Sequence, residues 1–135
     1  MSLRLNDNEI LVRNFAFNMG HLSKNVFYIY SNASPESNNM SKFESKINSS
    51  FKQIEELKQV KMENFPEIFH NETEYSDYIK MLDNLSSFLK QLINEEGFLQ
   101  DDKKETLWYF VRSIRNMIYH FKIYYKDEME ESFSI

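Results

Sequence analysis

Three side chains near the C-terminal end of the chain, Arg115, Asn116 and His120, combine phosphate-binding and proton-transfer chemistry. The guanidinium of arginine presents a fixed fork of N–H donors that suits a phosphate group. An imidazole can accept or donate a proton near neutral pH. A helix that only packs against its neighbours has no need of both groups. One interpretation of these residues is therefore a site that cleaves a phosphodiester, where arginine neutralises transition-state charge and histidine acts as acid or base.

A structural interpretation of the same residues stays open. Arg115 would then be a solvated surface charge, and His120 would be a partly buried histidine that packs and forms a hydrogen bond. Isolated histidines in proteins usually have such roles. What separates the two interpretations is whether both side chains reach one open site.

Helical geometry sets a condition on that site. Residues five apart on an ideal α-helix differ by about 140° of rotation and about 7.5 Å of rise, so Arg115 and His120 do not share a face. Asn116 and His120 do share one, and Arg112 precedes Asn116 by one helical turn on the same face. A kink, an arginine that reaches around the helix, or a second copy of the chain across a twofold axis would complete the site.

The segment 115–120 reads Arg-Asn-Met-Ile-Tyr-His, which resembles the Arg-Asn-x-x-x-His signature of HEPN domains (higher eukaryotes and prokaryotes nucleotide-binding). Members of this family are compact all-α domains, and many of them are toxin or antiviral ribonucleases. Their signature lies on a late helix, as segment 115–120 does. The chain length of 135 residues also fits the family.

The resemblance implies cleavage of RNA without a metal ion or any other cofactor. In the scheme of the family, the ribose 2′-hydroxyl attacks the adjacent phosphate and leaves a cyclic phosphate and a 5′-hydroxyl end. His120 would transfer the proton, Arg115 would clamp the phosphate, and Asn116 would orient the histidine or the phosphate. Family members commonly form homodimers in which two copies of the motif line one cleft. The resemblance also implies an antitoxin protein as a partner.

The sequence departs from one branch of the family at position 122. Members paired with nucleotidyltransferase antitoxins carry a tyrosine two residues after the histidine, where AMP is attached. Lys122 stands there in this chain, and Tyr119 and Tyr124 are out of register. The sequence therefore does not predict regulation by that modification.

Basic residues near the motif are candidates for RNA binding. The formal net charge of -5 argues against coating of nucleic acid through bulk charge. The charges are unevenly spread, however, because the last long helix carries a series of Lys and Arg side chains before an acidic tail. We expect Arg112 and Lys122 on this helix to contact RNA.

A stripe of uncharged polar residues on the first helix is a second candidate surface. Asn14, Asn18, His21 and Asn25 recur at helical spacing beside Arg13. One interpretation is a hydrogen-bonded or solvent-facing strip, since asparagine is mostly a surface residue. The other is that this helix lines the same cleft and that Arg13, Asn18 and His21 contact RNA.

The elements that position these residues follow from the spacing of apolar side chains, which predicts four main helices. They cover residues 6 or 7 to 30, 40–60, 71 or 73 to 97, and 101 or 102 to 128, and residues 61–72 form a loop with one helical turn. Glu9 is placed as a capping-box partner for the first helix, and Gly97 ends the third. We therefore predict an all-α fold, an antiparallel bundle of four to five helices, in a single domain over residues 1–135.

The predicted core consists of one apolar face on each helix. These faces are Leu11, Phe15, Leu22, Val26 and Ile29; Phe43, Ile47, Phe51, Ile54 and Leu57; Tyr78, Ile79, Leu82, Leu85, Leu89 and Leu92; and Leu107, Val111, Ile114, Ile118, Phe121 and Tyr125. A second stripe at Phe110, Met117 and Tyr124 lies beside the last of them, and we interpret it as a dimer interface.

Composition bounds the remaining functions. With no cysteine, disulfides, thiolate catalysis and cysteine-based zinc sites are excluded. The three histidines do not pair at a metal-ligand spacing, so no metal site is expected. No apolar run is long enough for a membrane span, and we expect a cytoplasmic protein. The alternative to a ribonuclease is a non-catalytic helical interaction module that binds a protein partner, a nucleotide or RNA.

Overall fold

Four α-helices and no β-strand make up the part of the chain that the computed structural model describes, residues 7–33, 40–94 and 101–133. The helices are α1 (Asp7–Asn32), α2 (Glu44–Lys58), α3 (Glu72–Asn94) and α4 (Asp101–Phe133), with 3₁₀ turns at Met40–Phe43 and Met62–Asn64. Side chains are described over residues 9–33, 42–93 and 103–126. The predicted all-α helical bundle is confirmed.

The helix boundaries agree with the sequence prediction to within a few residues. Asn71 caps α3, because its side-chain Oδ1 accepts a hydrogen bond from the main-chain N–H of Glu74 at 2.9 Å. The predicted stop at Gly97 lies outside the described residues. α4 continues to Phe133, beyond its predicted end, with a break in helical geometry at Tyr125 (φ -127°, ψ 27°).

Helix α1 lies at the centre of the bundle and packs against both α2 and α4. Its buried face holds Val12, Phe15, Met19, Leu22 and Val26. Leu11, which was expected in the core, is 37% exposed. The next residue, Val12, lies on the buried face of α1 instead. Three further predicted core residues are only partly buried and pack at its edge, namely Phe51, Ile79 and Ile118.

The segment between α2 and α3 is part of the core, because it turns two phenylalanines inward. Phe65 precedes a proline, and the centre of its ring lies 5.0 Å from the ring centre of Phe15 and 5.4 Å from that of Phe121. Phe69 packs on Tyr78 at 4.9 Å. Aromatic pairs of this kind add about 1 kcal/mol each beyond their buried area. They hold residues 65–69 firmly against the start of α3 and the end of α4.

The interpretation of Phe110, Met117 and Tyr124 as a dimer interface is wrong for its first member. Phe110 is only 4% exposed and packs on Phe88 of α3 at 5.8 Å, so it belongs to the core of the single chain. Met117 is partly buried, and Tyr124 is exposed. The three residues therefore do not form one free face, because α3 already covers one end of the stripe.

Candidate active site

The side of α4 that faces away from the core carries the motif. Residues at alternating steps of three and four are exposed there, and we call them the outer stripe: Tyr109, Arg112, Asn116, Tyr119 and Ile123. Arg115 and His120 flank the stripe and are also exposed. The imidazole is thus open to solvent, as a reacting group must be, and the interpretation of His120 as a partly buried packing residue is wrong.

A groove of about 600 Å³ holds His120, and we call it the histidine groove. It lies between α4, the first half of α3 and the segment before α3. Its lining residues are Tyr109, Ser113, Asn116, Met117, His120 and Tyr124 from α4; Glu74, Asp77, Tyr78 and Met81 from α3; and Glu67, Ile68, Phe69 and His70 from the segment. This volume is in the range of natural small-ligand pockets.

A second concave surface, the arginine hollow, lies on the other side of Asn116. It measures about 590 Å³ and is lined by Trp108, Tyr109, Arg112, Ser113, Arg115 and Asn116, all of α4. Tyr109, Ser113 and Asn116 line both surfaces. The two arginines are therefore separated from His120 by these three shared side chains, which we call the wall.

Arg115 turns toward α1. Its guanidinium carbon lies 4.6 Å from the centre of the Phe27 ring, in cation–π geometry. Such contacts contribute about 0.5–1 kcal/mol at an exposed position. The arginine is thereby held on the side of α4 away from His120, in agreement with the angular separation that helical geometry predicts. Arg112 shares the hollow and stands one turn before Asn116.

The structure brings a second histidine into the histidine groove. His70 Nδ1 lies 3.1 Å from Glu74 Oε2, and the main-chain N–H of His70 donates a hydrogen bond to the same oxygen at 3.1 Å. These hydrogen bonds, the main-chain one first, lower the pKa of the Glu74 carboxyl. Sequence reasoning missed His70 because it lies in a predicted loop. The signal was a histidine four residues before a glutamate where α3 begins.

The charge of the histidine groove is opposite to that of the hollow. Glu67, Glu74 and Asp77 line the groove, and none of its lining residues is a lysine or arginine. Tyr78 cannot serve there as an acid near neutral pH, because burial raises the pKa of its hydroxyl, which donates a hydrogen bond to the Leu57 carbonyl at 2.6 Å. The ionisable groups suited to proton transfer in this groove are its two imidazoles.

The polar stripe of α1 lies away from both surfaces. Asn14 and Asn18 line a separate hollow between α1 and the end of α2, of about 200 Å³. Asn25 is buried, and its Nδ2 donates to Gln53 Oε1 at 3.1 Å. The ring of His21 packs against that of Phe17 in a tilted arrangement, with 4.2 Å between the ring centres. The structure therefore does not bring Asn18 or His21 to the motif, and Asn25 fits the interpretation as a hydrogen-bonded strip.

Two further RNA-binding candidates take part in other contacts. Arg13 is partly buried and Lys122 is exposed, and each has an interaction of its own. Neither residue lines the histidine groove or the arginine hollow. Of the five basic and polar candidates outside the motif, Arg112 alone lines a surface next to Asn116.

Within the described ranges, no three histidine or acidic side chains are grouped closely enough to hold a metal ion. None of the helices described is both long and apolar enough to cross a membrane.

Comparison of the chain with protein-family models, with curated proteins and with solved structures finds no match.

Proposed function

We propose that the protein is a metal-independent endoribonuclease of the HEPN type, a cytoplasmic toxin or defence component that acts as a homodimer. The observation that carries the proposal is the placement of Asn116. One side chain forms part of an open groove with His120 and part of a hollow with Arg112 and Arg115. An RNA strand that crosses α4 at Asn116 would meet phosphate-binding groups on one side and a proton-transfer group on the other.

The proposed reaction uses these groups as follows. The ribose 2′-oxygen loses its proton and attacks the neighbouring phosphorus, and the bond from phosphorus to the 5′-oxygen breaks. The products are a 2′,3′-cyclic phosphate and a 5′-hydroxyl end. Arg115 and Arg112 would stabilise the charge that builds up on the phosphate oxygens. His120 would transfer a proton, and Asn116 would orient the phosphate between the two sides.

A second copy of the chain completes this arrangement. Within one protomer Arg115 lies against Phe27 and His120 lies in the groove, on opposite sides of the shared wall. The C-terminal part of the outer stripe supports a twofold contact, since Tyr119 and Ile123 are 65% and 56% exposed and line neither surface. Large apolar side chains in a row on a helix surface are typical of an interface. In a dimer, the arginines of one copy would face the histidine of the other.

The test is cleavage of RNA in the presence of EDTA. We expect discrete fragments with 5′-hydroxyl ends from the wild-type protein. His120→Ala should lower the rate about 100-fold or more, because the proton-transfer group is gone. Arg115→Ala should have a similar effect. Lys90→Ala, at an exposed position of α3 outside both surfaces, is the matched control and should cleave as wild type does. Equal cleavage by all four proteins would end the enzymatic proposal.

Mixing the two inactive variants tests the dimer. If Arg115 and His120 act across a twofold axis, a mixture of Arg115→Ala and His120→Ala protomers forms some sites with both residues intact. Random pairing then restores about a quarter of wild-type activity. Activity that stays at the level of the separate variants would remove the second copy from the site.

A second candidate function is a non-catalytic module that binds a protein partner, a nucleotide or RNA. The carboxylates of the histidine groove favour a protein partner among these, because they repel phosphate. In that case EDTA-treated protein would release no RNA fragments. The melting temperature would rise with added ligand, and it would rise equally for wild type and His120→Ala.

A further inference from the structure

The histidine groove contains two imidazoles, of which only His120 belongs to the motif. Cleavage by 2′-hydroxyl attack moves two protons, one away from the attacking oxygen and one to the leaving oxygen. A metal-independent site therefore works best with both a base and an acid. His120 alone would have to perform both steps in turn.

His70 has the environment of an oriented base. Its ring lies at the groove edge with the side chain 60% exposed, so substrate and solvent can reach it. Glu74 Oε2 lies 3.1 Å from its Nδ1. When Nδ1 carries the ring proton and donates it to this carboxylate, Nε2 carries no proton. Nε2, on the side of the ring away from Glu74, can then accept one. A carboxylate in this position also stabilises the imidazolium that forms after proton uptake.

The carboxylate is itself held in place. It accepts the main-chain N–H of His70 at 3.1 Å, while the main-chain N–H of Glu74 donates to Asn71 Oδ1 at 2.9 Å. Phe69, the residue before His70, is buried against Tyr78. The histidine, its carboxylate and the start of α3 thus form one unit anchored in the core. Such support is what keeps a catalytic side chain in its working orientation.

We infer that His70, oriented by Glu74, is the second proton-transfer residue of the site. This inference rests on the proposed ribonuclease function. His70 Nε2 takes the proton from the 2′-hydroxyl as the bond between the 2′-oxygen and phosphorus forms. As the bond from phosphorus to the 5′-oxygen breaks, the imidazolium of His120 gives its proton to that oxygen. One proton enters the protein and one leaves it, and no other reactant is needed.

The pH dependence of cleavage follows from this pair. Activity requires His70 without its second proton and His120 with it, which gives a bell-shaped profile of kcat/KM. The ionisable groups that face the two rings across the groove are Glu67, Glu74, Asp77, Tyr78, Tyr109 and Tyr124. The two limbs of the profile are assigned to the histidines because cleavage moves one proton through each ring.

The experiment compares His70→Ala, His70→Gln and Glu74→Gln with the wild type, using a short single-stranded RNA in EDTA. We expect both His70 variants to lose about 100-fold in kcat/KM and to lose the acidic limb of the profile. Added imidazole should restore part of the activity of His70→Ala. Glu74→Gln should lose about 10-fold, since the base stays in place but its orientation and the stabilisation of its imidazolium are weakened. The matched control is Glu72→Gln, at an exposed position in the first turn of α3, with unchanged activity.

The outcomes separate this inference from the proposed function. If His120→Ala is inactive while His70→Ala cleaves normally with an intact profile, the ribonuclease stands and the role of His70 is overturned. If the wild type does not cleave RNA, or His120→Ala cleaves as well as it does, both fall. Circular dichroism should show unchanged helix content in every variant, because the replaced side chains are exposed.

Discussion

The two sides of α4 differ in charge although they share three residues. The arginine hollow has two guanidinium groups and two aromatic rings, while the histidine groove has three carboxylates and two imidazoles. A phosphate is favoured on the first side and repelled on the second. A proton acceptor is favoured on the second side, where carboxylates can orient an imidazole and stabilise its charged form. In the proposed ribonuclease, one helix would therefore separate substrate binding from proton transfer.

The largest expected effect tests the hollow. In an inactive His120→Ala background, the double substitution of Arg112 and Arg115 by Gln should weaken binding of single-stranded RNA about 100-fold. The slope of log affinity against log salt should flatten by about 1.4, since each lost phosphate contact contributes about 0.7. A fluorescence anisotropy titration measures both quantities. Substitution of Lys90 by Gln is the control, and an unchanged slope in the double variant would show that the hollow does not hold phosphates.

Phe27→Leu should have an intermediate effect that is confined to the hollow. The loss of the ring under Arg115 should lower the free energy of unfolding by about 1 kcal/mol and RNA affinity by up to about fivefold. The pH profile of cleavage should not move, because the histidine groove is untouched. A double-mutant cycle of Phe27→Leu with Arg115→Ala in urea unfolding measures the pair. A coupling energy of zero would mean that the contact between Arg115 and the Phe27 ring does not contribute to stability.

Asp77→Asn should have a smaller effect, of opposite sign. Removing one carboxylate from the groove lessens the repulsion of phosphate, and RNA affinity should rise about two- to threefold at low salt. The number of phosphate contacts should stay the same, so the salt slope should change little. Binding by the His120→Ala, Asp77→Asn double variant measures this effect. A fall in affinity would mean that the acidic side binds RNA through Asp77.

The smallest effect is a pH dependence of stability. The pKa of Glu74 is lowered in the folded protein, chiefly by the main-chain hydrogen bond from His70. The ionised carboxylate therefore stabilises the folded protein fully above the ordinary carboxyl pKa of 4.5. This stabilisation is lost as the pH falls through the lower pKa that Glu74 has in the folded protein. Wild type should melt slightly above Glu74→Gln at pH 7, and the difference should vanish in acid. A difference that grows in acid would contradict this sign.

Apolar periodicity was sufficient to predict the helices and most of the core. The buried seam of α4 at Leu107, Val111, Ile114, Phe121 and Tyr125 matches the sequence prediction. The angular separation of the motif arginine and histidine was also predictable, because it follows from helix geometry alone. These features depend on residues close together in sequence, and for that reason a single chain reveals them.

Features that depend on packing between distant segments were not predictable. The position of His70 in the histidine groove depends on Phe65 and Phe69, which bring an irregular segment into the core. No periodic pattern encodes that turn. Phe110 was assigned to an interface because its spacing alone could not show that Phe88 of α3 already covers it.

The wall formed by Tyr109, Ser113 and Asn116 has a consequence for how the site fills. Because the same side chains line the histidine groove and the arginine hollow, a rotation of Asn116 that enlarges one of the two must narrow the other. Two separate molecules would therefore compete for these cavities, whereas a single strand draped over the wall gains from both at once. The shared wall therefore favours one long ligand that occupies both the groove and the hollow over two short ligands that occupy one each.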